Sequence, residues 1–274
     1  MTEGSVEPPA RPAWGAALIS RWAAPGGIIL LALTTWEVGV GLFQVERWLL
    51  PSPSAIGAEL VESRELLLRH TLTTLGEVVV GFALALIVGI AAAMAIAYSR
   101  IVERAAYPFV IASQTIPIIA IAPLLLVWIG YGIWPKIIVV VLISFFPIVV
   151  NMVDGLKSVD PDMLNMMRSL GASRRQIFIK AQAPSSLPFL FSGVRVAIAL
   201  SVIGAVIGEW VGSSAGLGYL MVRSAPQFLT ERVFASIFIL SAMGVVLFSM
   251  VVLVERLALP WNQWERRARA LEKL

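Results

Sequence analysis

Four ionisable side chains stand inside long apolar stretches of this sequence: Glu37, Glu77, Arg195 and Glu209. Ionisable groups at such depth are costly, so they face a bundle interior or a cavity and find partners there. Arg195 and Glu209 are fourteen residues apart, about 21 Å along one helix. They cannot pair with each other, although they point to nearly the same side. Arg195 can snorkel to the nearer surface or bond loop carbonyls. Glu209 either faces a passage for solute or holds the glycine-rich turn that follows it, and both roles stand open. Glu37 is expected to hydrogen-bond within the bundle. Metal and thiol chemistry find no support, because the chain has no cysteine and its one histidine, His70, cannot build a multi-histidine site. The segment GSSAGLG at 212–218 lacks the lysine that a phosphate-binding loop requires. An intramembrane hydrolase would need a catalytic constellation, which a single histidine in an outer position does not supply.

A second group of residues could do mechanical work. Between Asn151 and Pro188 the apolar text is interrupted by NMVDGLKSVDPDMLNMMRSLGASRRQIFIKAQAPSSLP. Asp160 is a good N-cap, Pro161 suits the first helical position and Asp162 suits the positive end of the helix dipole. Met163, Met166, Met167 and Leu170 recur at helical spacing, and Gly171 stops the helix before Ala172. Ser173 with Gln176 makes a capping-box pattern for a second short helix, which Pro184 and Pro188 are expected to close. The Met/Leu stripe either packs against the chain's own helix ends or docks into a groove on a soluble partner.

These residues are carried by a chain of 274 residues, 58% hydrophobic and only 14% charged, with a mean hydropathy of +0.86. A soluble domain carries about a quarter charged residues, so this is a membrane protein. A bilayer core takes about 20 apolar residues as helix, and six stretches qualify: Ala24–Phe43, Leu75–Tyr98, Ala106–Ile129, Ile133–Val153, Leu187–Val211 and Val233–Val254. With the N-terminus in the cytoplasm, 14 Lys and Arg fall on the inner side and 6 on the outer, Lys136 among the latter. The positive-inside rule therefore puts both termini and the polar loop in the cytoplasm. The acidic, proline-rich start lacks the basic region of a signal peptide and is expected to be a tail. Between the first two spans Ser54 can cap a helix whose Leu60, Leu67 and Leu68 alternate with charges; it lies on the outer surface or extends the second span.

Small residues recur at fourth positions in the second span (Gly81, Ala85, Gly89, Ala93, Ala97) and the fifth (Gly204, Gly208, Gly212), a pattern that lets helix backbones approach closely in lipid. The second row marks tight packing or a place where a helix slides. Pro117 and Pro123 punctuate the third span and Pro147 the fourth. Ser113, Gln114 and Thr115 beside Pro117 make that break a candidate lining for a passage. Glu209 and Trp210 would then stand at its entrance, with the indole offering a stacking face or sitting in the interfacial aromatic belt.

The loop resembles the cytoplasmic loop of binding-protein-dependent ABC importer permeases, whose pattern is Glu-Ala-Ala, three residues, Gly, nine residues, Ile, one residue, Leu-Pro. Gly171 matches, Ala183-Pro184 stand where Leu-Pro would be, Asn165-Met166-Met167 replace Glu-Ala-Ala and Ala181 replaces Ile. The missing acid puts a salt bridge through position 165 in doubt, but not the docking helix. LPSPSAI (50–56), HTLTTLGEVVVGF (70–82), SQTIPIIAIAPLLLVWIGYG (113–132), RSLGASRRQIF (168–178) and GEW…GLGY (208–219) are similar to the nitrate/sulfonate/taurine-type branch, which includes permeases for thiamine-precursor pyrimidines and riboflavin. Gly208-Glu209-Trp210 and ERLALPWNQW look more like the latter than like sulfonate or taurine members.

The resemblance implies an all-α, six-helix type I ABC importer permease in a bacterial inner membrane. It divides the chain into a disordered tail (1–22), a permease domain (23–258) with a coupling loop (154–186) and a basic cytoplasmic tail (259–274). It implies a second copy of the chain, two ATPase subunits that bind ATP and Mg in place of any cofactor in this chain, an extracytoplasmic solute-binding protein and no nucleic acid. Asp160, Met163, Met167, Leu170, Gly171 and Ala172 would couple ATP hydrolysis to transport. Sulfonate, taurine or nitrate is the alternative cargo. An ion-gradient-driven secondary transporter is the alternative machine, though such proteins commonly show two related halves and no repeat is evident.

Overall fold

The computed structural model describes residues 14–113 and 115–260. Every regular element among them is helical. Five helices are long and apolar enough to cross a membrane. They are α1 (Trp14–Leu42), α3 (Arg64–Tyr98), α6 (Trp134–Lys157), α9 (Ala183–Trp210, entered without interruption from Arg174) and α11 (Thr230–Ala258). Between them lie α2 (Pro53–Glu62), α4 (Arg100–Ser113), α5 (Ile118–Ile129), α7 (Pro161–Ser169), α8 (Arg174–Ile177) and α10 (Leu217–Ser224).

The third expected span is two helices. α4 ends at Ser113 and α5 begins after Pro117, which is its N-cap. A proline supplies no N–H to the preceding turn and pushes the residue before it out of the helical region, so the break falls at this bond. α6 continues through Pro147 and α5 through Pro123.

α6 is the central rod, packed along both α3 and α9, which also meet each other. Both neighbours meet it through glycine. A Cβ on Gly81 would lie 2.6 Å from Val140, and one on Gly89 2.9 Å from Ile148. On the α9 side, Gly204 would meet the Val140 Cα at 3.1 Å and Gly208 the Lys136 Cα at 3.0 Å. Without side chains at these points the backbones close to contact, and dispersion replaces the hydrophobic drive that lipid does not provide. Gly204 and Gly208 are thus close-packing residues within the chain. Gly212 is not part of that row: α9 ends at Trp210, and Gly212 is a turn residue with φ +103° against Leu126.

α1 is peripheral and starts at Trp14, inside the stretch expected to be tail, because Ala16, Ala17, Leu18 and Ile19 continue the helical pattern. Residues 1–13 and 261–274, the bulk of both expected tails, lie outside the described residues. Glu37 ties α1 to the rest: its carboxylate accepts the Ser54 N–H at 2.9 Å and the Ser54 hydroxyl at 2.7 Å. Ser52, not Ser54, is the N-cap of α2, since its Oγ accepts from Ala55 N. The two expectations for this region combine. α2 is a separate short helix, and α3 reaches back to Arg64, giving 35 residues or about 50 Å, well beyond a hydrocarbon core of about 30 Å.

Candidate functional site

The polar loop folds as its residue types dictate. The Asp160 carboxylate accepts the Asp162 N–H at 2.8 Å. α7 ends in a Schellman motif: Ala172 N–H donates to Met167 O at 3.0 Å and Gly171 N–H to Arg168 O at 2.9 Å, with Gly171 at φ +79°. Ser173 and Gln176 form the reciprocal capping box. None of α7 is buried; Met163, Met166 and Leu170 are exposed and Met167 is half-buried. The apolar stripe is therefore not consumed by the chain's own packing. Met166-Met167 occupy the position of the family's Ala-Ala, and Asn165 Oδ1 accepts from Arg168.

Pro184 and Pro188 do not close the second helix, as the sequence had suggested. α8 passes into a π-turn, Phe178–Gln182, and then directly into α9. Ala183 N–H bonds Phe178 O, one residue further back than in an α-helix, which widens the turn just where Pro184 would otherwise clash. The second helix of the loop and the fifth span are consequently one 37-residue rod from Arg174 to Trp210.

At the far end of that rod lies a buried polar cluster. Glu209 is 1% exposed. Its Oε1 accepts the Thr74 hydroxyl at 2.6 Å and its Oε2 the Gly218 N–H at 2.5 Å. Thr74 in turn accepts Leu217 N–H at 2.9 Å, and His70 Nδ1 accepts Gly216 N–H at 2.9 Å. Gly216 lies at φ +119°, and a Cβ on it would run into the Glu209 carboxyl. Of the two roles open for Glu209, holding the glycine turn is the one its contacts display. The turn also contains GSSAG (212–216), which spells the G-x-S-x-G of a nucleophile elbow. It joins helix to helix, not strand to helix, and His70 is bonded to Gly216, so the spelling carries no hydrolase.

Lys136, expected in an outer loop, is buried in the first turn of α6 and donates Nζ to Glu77 Oε1 and to Ser213 Oγ at 3.1 Å. A cation at a helix N-terminus opposes the dipole, so its burial there requires an acid, and Glu77 is that acid. Glu209 is held by Thr74, one turn before Glu77 on the same buried face of α3, so the two carboxyls share this cluster. Sequence reasoning missed Lys136, Thr74 and His70. The available signal was periodicity, because His70, Thr74 and Glu77 continue the Gly81–Ala85–Gly89 face of α3, all of it buried.

The remaining expected residues are dispersed. Thr115 and Pro117 are exposed, with the Thr115 hydroxyl donated to Ala112 O at 2.8 Å. Gln114 and the Ser113 side chain lie outside the described residues. Trp210 is 44% exposed and, with Ile119 and Phe248, lines an open apolar groove of about 650 Å³ between α9 and α11. Arg195 neither snorkels nor bonds loop carbonyls: it faces Glu255 of α11 at 3.4 Å and donates to Ser192 at 3.1 Å.

Residues 85–259 match the family described as binding-protein-dependent transport system inner membrane component. The chain is 41% identical to the formylaminopyrimidine transport permease ThiX of Halalkalibacterium halodurans over 87% of its length and 96% of the relative's. It is 37% identical to the riboflavin transport system permease RibX of Chloroflexus aurantiacus (88% and 92% covered). It is 32% identical to the putative aliphatic sulfonates transport permease SsuC of Bacillus subtilis (89% and 91%). With the helical architecture and the structured loop, these matches place the chain in one family: it belongs to the inner-membrane permease subunits of binding-protein-dependent ABC transporters.

Proposed function

We propose that the chain is the passage-forming subunit of an importer in which partner ATPases bind and hydrolyse ATP with Mg. In this reading α4 and α5 together make one crossing, giving six crossings with both termini and the loop 154–186 in the cytoplasm. Two copies of the chain form the passage, two ATPase subunits bind the loops and a solute-binding protein delivers cargo from outside.

The observation that carries the reading is the loop itself. Asp160, Gly171 and the Ser173–Gln176 box fix α7 with Met163, Met166 and Leu170 outward, an apolar helical face of the kind that enters a groove on a partner. That face lies on α7, and the Gly171–Ala172 turn joins it to the rod that runs from Arg174 to Trp210 at the outer-end cluster, so displacement of the loop is passed to α9 through that turn. Met167 and Ala172 close the turn after α7 through the bond from Ala172 N–H to Met167 O.

The cargo we assign is a formylaminopyrimidine or a related planar heterocycle, supported by the likeness to ThiX and RibX. Ser113, Gln114, Thr115 and Pro117 at the α4–α5 break line the passage in this proposal, and Trp210 offers a stacking face near its outer end. Glu209 acts there by holding the turn beside the passage. Isothermal titration of the cognate solute-binding protein against formylaminopyrimidine, riboflavin and taurine tests the cargo. Binding of taurine alone would move the chain's cargo to the sulfonate class.

A further inference from the structure

We propose that Glu77 and Glu209 bind one proton between them, making the buried cluster at the outer ends of α3, α6 and α9 a built-in proton site.

The argument begins with an orphaned atom. Glu77 is fully buried, its Oε1 takes the Lys136 ammonium, and its Oε2 has no hydrogen-bond partner. A buried carboxylate oxygen without a donor carries the full cost of desolvation. The neighbouring carboxyl is that of Glu209, which Thr74, one turn before Glu77 on the same buried face of α3, holds in this cluster. Two ionised carboxylates are acceptors only and repel each other; a proton on either one turns that repulsion into a hydrogen bond.

Charge accounting gives the same answer. The cluster holds two carboxyls and one ammonium, so with both acids ionised it carries an unbalanced negative charge away from water. The other groups facing it supply no compensation. His70 of α3 accepts Gly216 N–H through Nδ1 and is therefore unprotonated at that nitrogen. Tyr219 of α10 stacks near His70 with centroids 5.9 Å apart, and Arg223 donates to the Tyr219 hydroxyl at 2.6 Å rather than to either acid. Ser213 of the turn is held by Lys136 and Ala215 O. One proton taken from solvent makes the site neutral.

The two acids are not equivalent. Both oxygens of Glu209 already receive donors, one of them the Gly218 N–H in the first turn of α10. Glu77 has the vacant oxygen. The arrangement that satisfies every atom has Glu77 donating from Oε2 to Glu209, while its other oxygen still accepts from Lys136. The proton then joins α3 to α9 beside the Lys136 bridge to α6, and the glycine turn closes on the neutral cluster.

Infrared spectroscopy of the purified full chain in an ester-free detergent at neutral pH tests the site. The parent should show the C=O stretch of a protonated carboxylic acid. Its intensity should fall by one carboxyl in Glu77→Gln, whose amide donates to Glu209 and whose carbonyl accepts from Lys136, and likewise in Glu209→Gln. Absence of the band from the parent would overturn the proposal, as it would mean that an ordered water bridges two ionised acids. Full intensity surviving in both variants would overturn it too, because the band would then belong to another carboxyl.

Discussion

Gly208 of α9 stands against Lys136 of α6 so closely that a Cβ on the glycine would lie 3.0 Å from the lysine Cα and 3.2 Å from its Cβ. The same lysine donates to Glu77 of α3 and to Ser213 of the turn. The missing side chain at 208 therefore sets how far α9 stands from the residue that anchors the polar cluster.

Gly208→Leu should lower stability even though leucine gains about 1 kcal/mol of helix propensity over glycine, because the nearest obstacle is backbone and forced overpacking costs about 1–3 kcal/mol. Thermal unfolding in detergent should show a lower midpoint for Gly208→Leu than for the parent. Equal midpoints for parent and Gly208→Leu would show that α9 can move away from α6 freely.

Gly171 is a purer case, since a Cβ there would meet nothing within 4 Å and only its φ of +79° resists substitution. Gly171→Val should cost the Schellman turn about 1–2 kcal/mol, leave expression intact, and weaken both ATPase co-purification and solute uptake. Gly171→Asn, which tolerates the left-handed region, should retain most of both. Equal loss in the two variants would argue against a conformational role.

The loop was legible in the sequence because its signals are local: a cap, a C′ glycine and a capping box each act over four or five residues. The glycine rows were legible for the same reason, as periodicity on one helix. What was not legible depends on partners far along the chain. Lys136 looks like a loop residue until Glu77, 59 positions away, is placed beside it. Ser54 looks like a cap until Glu37 claims its N–H and hydroxyl. Pro184 looks like a terminator, but a five-residue π-turn accommodates it, and no propensity scale marks such a turn. Gly212 shared the spacing of its row while the helix had already ended at Trp210.

Thr74 is the cross-link of the buried polar cluster, giving its hydroxyl proton to Glu209 and accepting Leu217 N–H. Thr74→Val keeps the shape and removes both bonds, stranding a buried N–H at a cost of about 1–3 kcal/mol. Thermal unfolding should report that loss, and hydrogen exchange at Leu217 should accelerate. Thr74→Ser should behave like the parent. An unchanged exchange rate in Thr74→Val would contradict the bonding described.

Arg195 and Glu255 join α9 to α11 in a partly buried pair. Single replacements, Arg195→Leu or Glu255→Leu, should each destabilise by leaving one charge without its partner. The double replacement should recover part of the loss, with a coupling of about 1 kcal/mol in the cycle. Strict additivity would show that the 3.4 Å approach carries no energy.

The central claim is that this permease imports cargo by docking ATPases onto α7. Proteoliposomes holding the chain with its ATPase, ATP inside, and cargo-loaded binding protein outside should accumulate radiolabelled cargo. Accumulation should stop when the ATPase is omitted or when Leu170, at the exposed end of α7, is replaced by Asp. Accumulation driven by an ion gradient with neither ATP nor ATPase present would contradict the account.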